Sequence, residues 1–375
     1  MTRKGRRSFA GMILGLVMAV SAGCDFAGMF LDEGNLEKVA NQFYRPGRKD
    51  NLSPSGKYKF LAELSKKQVS EEEWAKRLKR TDNNIVSSVK VLGEKDLEGR
   101  KYAVISVTHE FKEKDGKTLR DVNSTTWILE GGKWRGLTLP KFQEEVETLF
   151  QAGDYAAAKS KAEEWLAADP FSVGAYVKLG FGIRRSNPWS FKRGDRSLED
   201  ILRALVAINP DDTYALFCAA TWSENLFIAK TYLKKLEGMK RYSNAAYNVS
   251  LKIDGPEEEL KFFDGLETTP GIAIQKLFAL SRLKRKDDFT ALANADGAFE
   301  KIKVFLDGED TGFAASLSAE LGGAFRDSGD DATAGKWLEY GITRDPNNRG
   351  LISLAELLDS KDGDRKPSRH FRGSR

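Results

Sequence analysis

Apolar positions change their period twice along this chain of 375 residues. Leu36, Val39, Ala40 and Phe43 fall on one face of a helix, as do Phe60, Leu61 and Leu64, and then Trp74 and Leu78, so three short helices are predicted. Ser70 and Glu73 stand at capping-box spacing and mark the start of the third. From Ile85 the period becomes two, through Val89 and Val91, then Val104, Ile105, Val107, His109 and Phe111, then Val122 to Leu129, then Trp134 to Leu139. Four strands are expected, joined by DLEGR, KDGK and EGGK, each with the glycine that a hairpin turn needs for positive φ. After a joint at Pro140 and Lys141, the pattern is helical from Phe142 almost to the end. The predicted fold class is an α+β domain of three helices and a four-stranded antiparallel curved sheet over residues 30–140, followed by an all-α segment over 141–358.

Within the helical part, Phe142, Val146 and Leu149 are followed by Gly153, Ala158, Ala162, Trp165 and Pro170, and then by Tyr176, Leu179, Gly180 and Ile183. This run resembles the tetratricopeptide (TPR) family, with Trp165 where the family prefers Ala. Leu321-Gly322, Phe325, Gly329-Asp330, Ala334, Leu338 and Asp345-Pro346-Asn347-Asn348 agree with it in register. Asn209-Pro210 supplies a third closing corner. The resemblance implies a TPR-like α-solenoid over 141–358, whose hairpins bury their apolar faces only by stacking. From Pro210 to Pro346 is 136 residues, four times the usual 34, which would put corners at Asn244, Phe278 and Gly312. None of these is Pro, and Pro256 and Pro270 break the register, so this stretch reads as helical but irregular.

The amino terminus has a cationic start, an apolar run from Phe9 to Val20, and Ser21-Ala22-Gly23 before Cys24. Twelve helical residues rise about 18 Å, less than a bilayer core, so residues 1–23 read as a signal peptide rather than a span. Ser21 to Cys24 resembles a bacterial lipobox. The resemblance implies that Cys24 is lipidated, with palmitate among the acyl chains, and that residues 24–29 link the anchor to the fold. Asp25 is similar to an inner-membrane retention signal of enteric lipoproteins.

The helices-then-meander order, closed by TTWILEGGKWRGL, resembles the nuclear transport factor two-like fold, a cone that serves as a pocket in some members and as a packed core in others. His109 shares a face with Ile105, Val107 and Phe111 by alternation, which makes it either a candidate pocket base or a core or rim residue. The formal charge of +5 comes from the ends. Arg3, Lys4, Arg6 and Arg7 precede Cys24, and the tail over 359–375 has no apolar periodicity and, from Lys361 onward, a surplus of four cations, so a basic disordered end is expected. The body is near −3, which offers nucleic acid no overall basic face. Two cysteines allow neither a disulfide framework nor a zinc cluster, and Cys218 reads as a buried thiol. The loop RRSNPWSFKRGDR places Trp189 and Phe191 beside cations, a composition suited to a partner peptide, an anion or a headgroup.

The sequence contains no phosphate loop, metal-ligand cluster or nucleophile elbow, and no cofactor is expected. The leading reading is a membrane-anchored envelope lipoprotein, a non-enzymatic scaffold whose solenoid holds an envelope protein or peptide. A small-ligand binder or enzyme near His109 is the alternative, and a structural spacer is a third. Cys24→Ser is expected to abolish membrane association in cell fractionation; a variant that still sediments with membranes contradicts the lipid anchor.

Overall fold

The computed structural model describes residues 34–44, 53–79, 85–112, 117–186, 196–295, 297–307 and 311–359. The signal segment, Cys24, the Trp189 and Phe191 loop and the tail after 359 lie outside them. The chain divides into two compact units, residues 1–112 with 118–240, and residues 113–117 with 241–375.

In the first unit, α1 (Leu36–Tyr44) buries Leu36, Val39, Ala40 and Phe43, the stripe that the pattern assigns to it. The second expected helix is two short ones, α2 (Pro54–Lys59) and α3 (Glu63–Gln68), so among the described residues four helices precede the sheet where the sequence predicts three. The break has a hydrogen-bonding cause. Gly136 N–H donates to the Phe60 carbonyl (2.8 Å) and Ala62 N–H donates to the Gly136 carbonyl (2.9 Å). That exchange turns Leu61 into a bridge to the sheet and stops the helix there. At the start of α4 (Glu71–Lys79), Glu73 N–H donates to Ser70 Oγ and Ser70 N–H donates back to the Glu73 carboxylate, both at 3.2 Å, so the predicted capping box forms.

The strands β1 (Ile85–Leu97), β2 (Arg100–Lys112), β3 (Thr118–Glu130) and β4 (Lys133–Leu137) form one antiparallel sheet in chain order. Glu98-Gly99 and Gly131-Gly132 make the two described hairpin turns with positive φ at both central residues. β2 is buried on both faces from Tyr102 to Val107, where simple alternation would leave one face wet. Ala103, Ile105 and Val107 pack with Val39, Phe43, Trp74 and Trp127. Tyr102 faces Val146, Ala158 and Trp165, and Val104 faces Val177, Leu205 and Trp222. The sheet is thus the middle layer of this unit, which explains the unbroken apolar run YAVISV.

Five helices complete that second cover: α5 (Pro140–Gln151), α6 (Tyr155–Ala168), α7 (Val173–Ser186), α8 (Arg196–Ile208) and α9 (Thr213–Trp222). α10 (Leu226–Lys235) follows them. Pro140 is the first residue of α5, where its missing N–H costs nothing. Cys218 is fully buried.

The second unit contains α11 (Tyr242–Ser250), α12 (Pro256–Asp264), α13 (Pro270–Arg282), α14 (Lys286–Ala293), α15 (Ala298–Leu306), α16 (Thr311–Ser328), α17 (Asp331–Ile342) and α18 (Arg349–Asp359). Asn244, Phe278 and Gly312 lie inside α11, α13 and α16, so the 34-residue count finds no corners there. Pro256 and Pro270 instead open α12 and α13. The core joins Ile274, Leu277, Phe289, Leu321, Phe325 and Trp337. α16 and α18 run close together: a Cβ at Gly322 would overlap Leu354 Cδ2, whereas one at Gly323 would meet nothing within 4 Å. Gly322→Ala is therefore expected to destabilise by about 1–3 kcal/mol through overpacking, and Gly323→Ala to stabilise by up to about 1 kcal/mol through helix propensity. Urea unfolding of the two variants reads the difference, and equal effects would contradict the close approach.

Candidate functional site

Two local designs recur along the described helices. The first is a hairpin turn. Between α5 and α6, Gly153 adopts φ +76° while Asp154 N–H donates to the Leu149 carbonyl (3.0 Å) and Gly153 N–H donates to the Phe150 carbonyl (3.1 Å). Asp154 then caps α6 by accepting from Ala157 N–H (3.0 Å). Between α16 and α17 the same bonds join Asp330 to Phe325 and Gly329 to Arg326, with Asp330 accepting from Thr333 N–H. The turn appears a third time between α13 and α14, where Arg285 N–H reaches the Leu280 carbonyl and Lys284 N–H the Ser281 carbonyl. Here Lys284 holds the left-handed conformation at φ 57°, and Phe289 takes the place of Ala158 and Ala334. That copy lies in the stretch whose sequence reads as irregular. Lys, Arg and Phe stand where the other copies have Gly, Asp and Ala, so only the backbone carries the signal.

The second design is the closing corner, an Asx-Pro pair followed two residues later by a helix cap. At Asp169, Asn209 and Asp345 the side-chain oxygen accepts from the amide two residues on, in Phe171 (3.2 Å), Asp211 (3.1 Å) and Asn347 (3.1 Å). The carbonyl of each accepts from the next amide, in Ser172, Asp212 and Asn348, all at 3.2 Å. Those three residues cap α7, α9 and α18 by accepting from Ala175, from Tyr214 with Ala215, and from Gly350 with Leu351.

In the first unit these corners grip the sheet. Asn209 Nδ2 donates to Ser106 Oγ (3.2 Å) and Ser124 Oγ (3.0 Å). The second Asp212 oxygen accepts from Ser124 N–H (2.8 Å) and Ser124 Oγ–H (2.7 Å), and Thr213 Oγ1 accepts from Val122 N–H (2.7 Å). Burial pushes the Asp212 carboxyl above its ordinary pKa, opposed by the bonds from Ala215, Ser124 and Tyr214. Asp169, 5% exposed, is pushed up to about 7 by burial, with Thr126 and the Phe171 amide opposing. Ser106, Ser124 and Thr126 are thus a polar rail on an otherwise apolar sheet face. The sequence marks them only as strand residues, since a Ser or Thr in a strand looks the same with or without a buried partner.

His109 is half-buried on β2, opposite Asp121 of β3. Its ring lies 6.4 Å from that of Phe111, and Lys240 Nζ stands 5.0 Å over the Phe111 ring and 4.0 Å from Asp121. Burial lowers the imidazole pKa, with Asp121 opposing and Lys240 reinforcing, so the ring is neutral near pH 7. Its Nδ1 is buried and has no hydrogen-bond partner among the described residues. Beyond Val107 the same sheet face is filled by Phe43, Trp74 and Trp127, with Phe43 and Trp127 edge to face at 5.4 Å.

On α16, Phe313, Ser316 and Glu320 form an outward stripe beside Ile352 of α18, and Asn348 Nδ2 donates to Ser316 Oγ between the two helices. Phe313 and Ile352 are each about half exposed. Trp189, Phe191 and Cys24, the other residues singled out by sequence, lie outside the described residues.

No protein-family model matches the chain, and no curated protein matches it. Solved structures similar to it include PilF of Pseudomonas aeruginosa, at 15% identity and a TM-score of 0.32 over 58% of this chain and 96% of that one. A thermophilic TPR protein of Thermus thermophilus is another, at 16% identity and a TM-score of 0.31 over 58% of this chain and 98% of that one. With both TM-scores under 0.5, the repeat design rests on the recurring turn and corner of this chain itself.

The Asp169 corner makes stability depend on pH. Because its carboxyl titrates near 7 when folded and near 3.8 otherwise, its contribution is complete below pH 3.8 and is lost as pH rises through about 7. Asp169→Asn is expected to raise the melting temperature above pH 7 by several degrees and to flatten its fall between pH 4 and 7, as read by thermal denaturation. An unchanged slope would contradict the buried carboxyl.

Proposed function

We propose that this protein is a lipid-anchored scaffold of the bacterial cell envelope, tethered through Cys24, which holds a protein or peptide segment on TPR-like hairpins and carries out no chemistry of its own. The observation that supports this most is the recurrence of one turn at Gly153, Lys284 and Gly329 and of one Asx-Pro corner at Asp169, Asn209 and Asp345. Such units present successive first helices as a surface for a partner. Phe313 and Ile352 are the anchors that this reading selects in the second unit, and Trp189 and Phe191 those that it selects from the sequence. The sheet with its four preceding helices is read as a nuclear transport factor two-like module used as a packed core, because aromatic side chains occupy the face beside Val107. Residues 30–140 and 141–358 remain the two functional divisions of this reading.

The alternative, a small-ligand site at His109, draws its support from the buried, unpartnered Nδ1. Photo-crosslinking in cells separates the two. A crosslinker at Phe313 or Ile352 is expected to give discrete protein adducts, and one at the exposed Glu339 of α17 none. Adducts that are absent at both sites, or equal at all three, would contradict the scaffold.

A further inference from the structure

α10 is built inside out at its first turn. Ala229, Leu233 and Leu236 recur at helical spacing and are fully buried, so they fix the inner face. The opposite face begins with Phe227, 79% exposed, and Ile228, 43% exposed. Neither side chain is displaced by disorder of its backbone: Asn225 Oδ1 caps the helix and accepts from the amides of both residues, at 2.9 and 3.2 Å. A capped, regular turn therefore directs two large apolar groups into water. Further along that outward face stand Lys230, Thr231, Lys234 and Lys235, all exposed, with only Glu224 and Glu237 as acids among residues 223–240.

Ordinary helix chemistry covers only part of this face. Lys234 and Lys235 complement the negative end of the helix dipole, and a single exposed apolar residue is ordinary. Neither fact explains an adjacent, exposed Phe-Ile pair. A ring 79% exposed projects from the surface instead of lining a groove, so it suits entry into a soft apolar phase better than capture by a peptide, which needs a concave seat.

We propose that α10 is a direct contact with an anionic phospholipid surface, with Phe227 and Ile228 entering the headgroup–acyl boundary and Lys230, Lys234 and Lys235 lying against the headgroups. This contact adds to the proposed lipid anchor and does not depend on it. Cations near an anionic surface and an apolar pair below it act together, so loss of either weakens the contact.

The test uses the full chain carrying Cys24→Ser and Phe227→Cys, labelled at residue 227 with an environment-sensitive dye, since Cys218 is buried. The dye reports its own surroundings, so a chain held on vesicles by another segment does not move it. A blue shift is expected with vesicles of phosphatidylcholine containing phosphatidylglycerol, with little change on phosphatidylcholine alone and a reversal at high salt. Adding Lys230→Gln, Lys234→Gln and Lys235→Gln is expected to weaken partitioning by about a hundredfold. The proposal is overturned if the dye is silent on anionic vesicles, if neutral vesicles act equally, or if the triple Gln variant partitions as well. It is also overturned if an acidic peptide or unlabelled chain alone gives the same shift, which would make this face a protein-docking surface. Failure of the Cys24 anchor leaves this readout unaffected.

Discussion

A strand that ends a sheet exposes alternate amides, and β3 faces this problem along its first half because β4 pairs only with Thr126 to Glu130. The chain closes that edge with three different groups in succession. Arg120 N–H donates to the Gly238 carbonyl and the Arg120 carbonyl accepts from Lys240 N–H, while Val122 meets Thr213 and Ser124 meets Asp212. Every other amide from Arg120 to Ser124 thereby finds a partner outside the sheet. Since Asp212 also caps α9, one carboxylate ties the start of a helix to the edge of a strand. A buried group that satisfies four donors at once is costly to disturb, because its removal leaves each of them unpaired.

The same corner has two uses in this molecule. At Asp169 and Asn209 it is buried beneath the sheet and its polar atoms bond to Thr126, Ser106 and Ser124. At Asp345 the identical backbone arrangement caps α18 without sheet partners of this kind, and its flanking Pro346 and Asn347 are exposed. A repeat element that normally ends a hairpin has therefore been recruited in the first unit as an attachment point. The alternation of apolar and small polar residues on β2 and β3 is what makes that attachment possible, since Val104 and Ile128 supply packing while the rail supplies partners.

Much of this was legible in the residues. The four strands, the Ser70 box, the stripe of α1 and the three Asx-Pro corners follow from period and turn chemistry, because each rests on contacts within a few residues. The division at Leu61 was not, since it is caused by Gly136, far along the chain. Nor was the double burial of β2, which resembles alternation until both covers are known. The hairpin at Lys284 was hidden because a non-glycine residue holds the left-handed turn, so the backbone repeats where the side chains do not. His109 was placed on its strand correctly by period, but its neighbours Asp121 and Lys240 come from separate segments.

The first unit depends on the grip between the Asx-Pro corner and the β3 edge. Hydrogen exchange of the intact chain with Asp212→Ala, resolved over residues 118–126, measures that grip directly. The expected result is loss of protection concentrated at Val122 and Ser124 and at the first turn of α9, while α16 and α17 stay protected as before. Retained protection along β3, with loss only at the start of α9, would show that Asp212 is a helix cap alone and would contradict its grip on the β3 edge.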